Sequence, residues 1–150
     1  MPRILDLICK LAEYERAAHE VLATQAQLER ALFGDHPAAF CHVIDAPAPD
    51  EGLAGFAIWF VSYSTWLGVH GLYLEDLFVL PAYRGRGYGK AFMKNLARVC
   101  VERGYGRFEW AVLDWNRPAI EFYASLGARP QSEWTVHRLT GERLAALARE

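Results

Sequence analysis

Residues 78–92, FVLPAYRGRGYGKAF, restrict the possible fold more than any other stretch of the chain. An apolar, strand-like run enters a turn that holds Gly85, Gly87 and Gly89, and a helix-like run leaves it. Arg84, Arg86 and Lys90 crowd the same turn. Glycines cost conformational entropy on folding and like charges repel, which calls for something outside the chain to offset both. A strand feeding a helix through glycines also leaves backbone N–H groups without intrahelical partners at the helix start, where the dipole favours an anion. The stretch therefore predicts a strand–loop–helix unit with its loop built around a phosphate-like group. It is neither a Walker loop, GxxxxGKS/T, nor the dinucleotide fingerprint GxGxxG. It reads R-x-x-G-x-G from Arg84 to Gly89, with Tyr88 between the last two glycines.

The 150 residues suffice for one domain, 1–150, with its own core. At 53% apolar the chain is globular rather than disordered. A net charge of -2 argues against nucleic acid as a partner, so the basic loop implies a small anionic ligand. Cys9, Cys41 and Cys100 are odd in number and lie in apolar runs, as free thiols of a reducing, cytoplasmic setting do. No CxxC or Cys/His cluster suggests a metal. No apolar run reaches the roughly 18 residues of a membrane span, and nothing at the start resembles a signal peptide.

Helical spacing covers residues 2–23, with Pro2 in the first turn and Ile4, Ile8 and Leu11 on one face. Thr24 and Gln27 predict a capping box for a second helix that stops near Gly34. Strands are expected over 39–46, 53–64 and 68–80. A helix follows from about Gly87, turning Phe92, Met93, Leu96, Val99 and Cys100 inward and stopping at Gly104. Residues 107–114 read as a strand. Residues 116–128 read as a helix capped by Asn116, with Pro118 in its first turn. Residues 132–139 read as a last strand, and Thr140 as the cap of a short final helix. Antiparallel strands joined to a βαβ unit make a mixed sheet, hence an α/β or α+β fold.

Two further stretches, LYLEDLFVLPAYRG and DWNRPAIEFYASLGA, complete a pattern that resembles the GNAT superfamily of acetyl-CoA-dependent N-acetyltransferases. The resemblance runs from about Leu11 to the C-terminus. It implies the GNAT acyl-CoA N-acyltransferase fold, a central mixed sheet splayed between two parallel strands. The first edge strand of the family is missing, since the first helix begins almost at Met1. In the family the R-x-x-G-x-G loop holds the coenzyme A pyrophosphate, here Arg84, Gly85, Arg86, Gly87, Tyr88, Gly89 and Lys90. The strand before it hydrogen-bonds the pantetheine arm, here through Leu77, Phe78 and Val79. The segment with Asn116, Pro118 and Ala119 covers the other side of the thiol. Within the superfamily, YLEDLFVLPAYRGRGYG, AVLDWNRPAIEFYASLGA, LAEYE and FGDHP look like the diamine and thialysine acetyltransferase group, and STWLG and AVLDWN lean toward its thialysine branch. The polyamine branch carries an acid where this chain has Ser64. A homodimer and a small cationic amine substrate are what that group implies.

By periodicity alone Tyr123 is a core tyrosine, sharing a face with Ala119, Phe122 and Leu126. The resemblance makes it the acid that protonates the departing thiolate, a task for a phenol that keeps its proton at neutral pH. Glu75 and Asp76 adjoin on a strand and point to opposite faces unless a bulge intervenes. The resemblance gives Glu75 the collection of the amine proton, through water, and Asp76 the holding of the cationic acceptor. It turns Tyr14 and Glu15 toward the amine and lines the substrate channel with Glu109, Trp110 and Ala111, with Ser64 further out. The alternatives are a non-catalytic acyl-CoA-binding module on the same fold, or acetylation of a protein N-terminus or lysine.

Overall fold

The computed structural model describes residues 1–149. The chain divides into two compact units, Met1–Ala111 and Val112–Glu150.

The first unit carries the sheet. Helix α1 spans Pro2–Tyr14 and buries Leu7 and Leu11, with Ile4 and Ile8 packed beside them. The predicted extension to residue 23 does not form. Arg16 takes a left-handed φ of 63°, and Ala17 N–H reaches back to Ala12 O at 2.8 Å, closing the helix without a glycine. Helix α2, Gln25–Phe33, has the expected capping box on Thr24 and Gln27. Strands β1 (Phe40–Asp45), β2 (Leu53–Ser64), β3 (Val69–Val79) and β4 (Phe108–Trp110) lie in the order β1-β2-β3-β4. The first two neighbouring pairs are antiparallel and β3–β4 is parallel. No strand precedes α1 among the described residues, so β1 forms one edge of the sheet.

Strand β2 is apolar from Leu53 to Val61, and its stretch from Ala54 to Trp59 is buried on both faces. Phe56 and Ile58 join Leu7, Leu11 and Phe78 in a core under α1. Gly55, Ala57 and Trp59 alternate to the other face. There α3 (Tyr88–Glu102) packs, with Phe92 against Gly55 and the Arg103 guanidinium 5.4 Å from the Trp59 ring centroid. Of the side chains expected inward on α3, Phe92, Met93, Leu96 and Cys100 are buried and Val99 is half-buried.

Two strand expectations need correction. Strand β4 covers three residues of the eight expected over 107–114, because β3 pairs with it only at Leu72–Leu74. Residues 132–139 form no strand, and all of 131–140 are exposed. In the second unit, α4 (Arg117–Ser125) and α5 (Gly141–Leu147) form at the expected places. No helix of the described residues is long and apolar enough to cross a membrane.

Candidate active site

A bulge in β3 decides where the acidic pair points. Directly opposed residues on neighbouring strands share a face. Leu74 lies opposite Trp59 and Asp76 opposite Ile58, so Glu75 is an extra residue. In a regular strand Leu74 and Asp76 would face the same way. With the extra residue Asp76 turns to the face covered by α1, while Leu74 stays on the α3 side.

The last turn of α1 meets Asp76 there. Glu15, the residue that caps α1, is half-buried, and burial raises its pKa. Burial first, then the negative charges of Glu75 and Glu15, push the Asp76 carboxyl from 3.8 up to about 6. Glu75 is exposed at the bulge. The structure thus gathers Glu15, Glu75 and Asp76 around one place. Such a cluster suits a cation, and one member changes charge near neutral pH.

Beyond the bulge, no strand among the described residues pairs with the β4-facing edge of β3 from Glu75 to Val79. Backbone groups of Leu77, Phe78 and Val79 are thereby freed on one side for an extended, amide-bearing ligand. Pro81–Tyr83 then turn the chain into the basic loop. Arg84 Nε donates to Val79 O at 2.9 Å. Its guanidinium lies 4.9 Å from the Tyr14 ring centroid and 5.5 Å from that of Phe78. One side chain therefore ties the loop to the ends of both β3 and α1. Tyr83 Oη donates to Asp50 Oδ2 at 2.8 Å, and the Arg86 guanidinium sits 5.4 Å from the Tyr83 ring centroid. The Tyr83–Asp50 bond spans 33 residues and left no local signal in the sequence.

The loop has the shape of an anion cradle. Gly85 and Gly87 have φ of 74° and 82°, which side chains rarely adopt. Gly87 is the N-cap of α3 and offers no side chain to its first N–H groups. Ala91 N–H makes the first helical bond, to Gly87 O at 2.9 Å, so those of Tyr88, Gly89 and Lys90 precede it. A Cβ built at Gly85 or Gly87 would meet nothing within 4 Å, so it is the left-handed backbone and not a lack of space that calls for glycine there. Arg86 and Lys90 are exposed beside those N–H groups. A diphosphate fits this arrangement.

Two expected site residues are engaged otherwise. Ser64 is buried, and its Oγ accepts from Leu67 N–H at 3.2 Å in the turn joining β2 to β3. Its cross-strand partner Val69 is seven residues from Asp76, roughly 23 Å along a strand. Within one chain Ser64 is therefore not brought to the carboxylates. Glu109 is held by Arg107 Nε at 2.7 Å, a pairing the sequence did not reveal. Trp110 lies opposite Leu74 at the last β3–β4 pair, with its ring 4.9 Å from Phe108, and Ala111 follows it, exposed. In the second unit Asn116 Oδ1 accepts from Ala119 N–H at 3.4 Å, with Pro118 in the first turn of α4. Tyr123 is half-buried, its ring 5.2 Å from Phe122.

The profile of the acetyltransferase (GNAT) family matches residues 3–128. This chain is a member of that family. As a GNAT enzyme it is an acetyl-CoA-dependent N-acetyltransferase. It is 38% identical to a thialysine N-epsilon-acetyltransferase of Sus scrofa over 153 residues, covering 97% of this chain and 89% of that one. It is 32% identical to an L-ornithine N5-acetyltransferase of Arabidopsis thaliana, covering 98% and 83%. Among solved structures, an integron cassette protein from the mobile metagenome of V. cholerae superposes with a TM-score of 0.77 at 27% identity, covering 99% and 91%.

Substitutions in the loop should separate its charge from its shape. Arg84→Ala should weaken coenzyme A binding by roughly ten-fold or more, since it unties the loop and removes a cation. Gly87→Asp should weaken it further, because a side chain is strained at this φ and a carboxylate opposes a phosphate. Calorimetric titration with coenzyme A measures both, and unchanged affinity in both variants would refute the role of the loop.

Proposed function

We propose that this enzyme acetylates the terminal amine of a small cationic acceptor, a lysine-like amino acid such as thialysine or a short diamine. The carrying observation is the carboxylate cluster of Glu15, Glu75 and Asp76, gathered by the bulge at the open end of β3. The names of both relatives, the thialysine and the ornithine enzyme, specify a side-chain amine of an amino acid.

Acetyl-CoA supplies the acetyl group as an activated thioester. Arg84, Arg86, Lys90 and the N–H groups of Tyr88 and Gly89 would hold its pyrophosphate. Backbone groups of Leu77, Phe78 and Val79 would align the pantetheine arm and orient the thioester. An amine can attack only after losing a proton. Glu75 was the expected collector, but the neutral-range carboxyl is that of Asp76, and we assign the proton to Asp76, with Glu75 and Glu15 holding the cation. Tyr123 returns a proton to the departing thiolate. The match to the family spans both compact units, which supports a single working domain over 1–150. The enzyme works as a homodimer in the cytoplasm, a setting consistent with the free Cys9, Cys41 and Cys100.

A panel of amines assayed by thiol release tests the acceptor. Thialysine, ornithine or a short diamine should show a higher kcat/KM than spermine or a lysine-containing peptide. Either of the last two outperforming every small amine would overturn the acceptor class.

A further inference from the structure

The bulge that turns Asp76 toward α1 also decides which residues share its face of the sheet. Opposed residues on neighbouring strands lie on one face, and every second residue returns to it. Ile58 lies opposite Asp76, Phe60 opposite Tyr73, and Tyr73 opposite Glu109. Ser62 lies opposite Gly71. The face therefore runs from the carboxylates, past a row of Phe60, Tyr73 and Glu109, to a row of Ser62 and Gly71. Phe60 and Tyr73 are half-buried, with ring centroids 5.1 Å apart.

Arg107 lies across that last row. A Cβ built on Gly71 would stand 2.9 Å from Arg107 Cγ and 2.7 Å from Ser62 Oγ, so a side chain there would push the arginine stem aside. Glycine lets the stem cross β3. The guanidinium then reaches β2, where Nη2 donates to Tyr63 O at 3.3 Å, and its Nε lies 2.7 Å from Glu109 Oε2. A guanidinium has further N–H donors beyond these two. The Arg107 and Glu109 side chains are 39% and 36% exposed, so a solute can reach both. Beside the stem, Ser62 Oγ is buried and has no hydrogen-bond partner. Buried hydroxyls rarely lack one, which marks a place still missing an acceptor.

We propose that Arg107 and Glu109 hold the α-carboxylate and the α-ammonium of an amino-acid acceptor whose side-chain amine reaches Asp76. This rests on the reading of the enzyme as acting on a small cationic amine, and narrows that class to amino acids over diamines. A zwitterion offers the pair both charges it can meet, a carboxylate for the guanidinium fork and an ammonium for Glu109. The length agrees. Strand β2 rises roughly 13 Å from Ile58 to Ser62, which separates the row of Asp76 from the row that Arg107 crosses. With a side chain reaching in from each end, the gap that remains suits an extended lysine-like molecule. Its methylenes would lie along the Phe60 and Tyr73 rings. A short diamine satisfies the carboxylates and leaves the guanidinium unmet. Ser64 has no part in this, since its hydroxyl is taken by Leu67 N–H.

An ion pair that only braced the sheet would be indifferent to the far end of the acceptor. Thiol-release kinetics on matched acceptors therefore test the subsite: ornithine and thialysine, each against the diamine that remains when its carboxylate is removed. The wild type should prefer the amino acids by roughly 10–100-fold in kcat/KM, the effect of a charge-assisted fork. Arg107→Gln should bring that ratio down toward one. Arg107→Lys keeps the charge without the fork and should fall between, and it carries the test if melting curves show that the glutamine variant does not fold. Equal kcat/KM for both members of each pair in the wild type would overturn the subsite and leave the small-amine reading standing. A preference that survives loss of the arginine would do the same. Spermine or a lysine-containing peptide outperforming all four acceptors would overturn both.

Discussion

Tyr123→Phe is expected to lower kcat by roughly 10²–10⁴-fold, the span that a positioned general acid contributes. The substitution keeps the ring, its contact with Phe122 and the course of α4. Affinity for coenzyme A should therefore change little. A core tyrosine would behave in the opposite way, with activity kept and any loss confined to stability. Steady-state kinetics, calorimetric titration and a melting curve on the same preparation separate the two. A well-folded variant with full turnover would end the assignment of Tyr123 as the acid.

Asp76→Asn should lower kcat/KM by roughly 10²-fold or more and at the same time stabilise the protein above neutral pH. The sign follows from the direction of the shift. The folded pKa of about 6 lies above the ordinary 3.8, so the folded chain binds the proton more tightly than the unfolded one. Stability from this group therefore rises as pH falls from about 6 toward about 4, and the ionised carboxylate is a net cost above that window. The cost reaches up to about 3 kcal/mol, and asparagine removes it. Tm should rise by several degrees at pH 8 and show little change near pH 4. Activity should carry the mark of the same group. The wild-type kcat/KM for the acceptor should fall as pH drops through about 6, and this acidic limb should vanish in the variant. A variant that is fully active, or less stable than wild type at pH 8, would remove Asp76 from the centre of the site.

The parts of the fold that were legible are those governed by neighbours in the chain. The Thr24–Gln27 capping box, the glycines around α3 and the Asn116 cap each depend on contacts within a few residues. The end of α1 was not legible, because Arg16 fills a left-handed position that glycine usually marks. The last strand was over-read, because alternation reports strand tendency and not the presence of a partner. In the site, the basic loop could be read from its spacing. That Arg84 spends its Nε on Val79 O, and Glu109 its carboxylate on Arg107, depends on side-chain directions that no pattern of residue types encodes. The meeting of Asp76 with Glu15 came from resemblance, and its physical cause is visible only in the register of β2 against β3.

That register makes the bulge as important to the site as residue identity. Replacing Glu75 changes one carboxylate and leaves every neighbour where it was. Pairing Glu75 into a regular ladder would invert the parity of everything up to Val79. Asp76 would swing to the α3 side, Phe78 would leave its core under α1, and Leu77 would take its place. Removing Glu75 altogether would do none of this, because Leu74 stays opposite Trp59 and Asp76 opposite Ile58. Strand β3 thus carries its extra residue as a hinge pin, set between the sheet that holds the fold and the end that meets the acceptor. Substitutions at this position and its deletion should both yield folded proteins, with activity graded by the carboxylate and the local twist that each one loses.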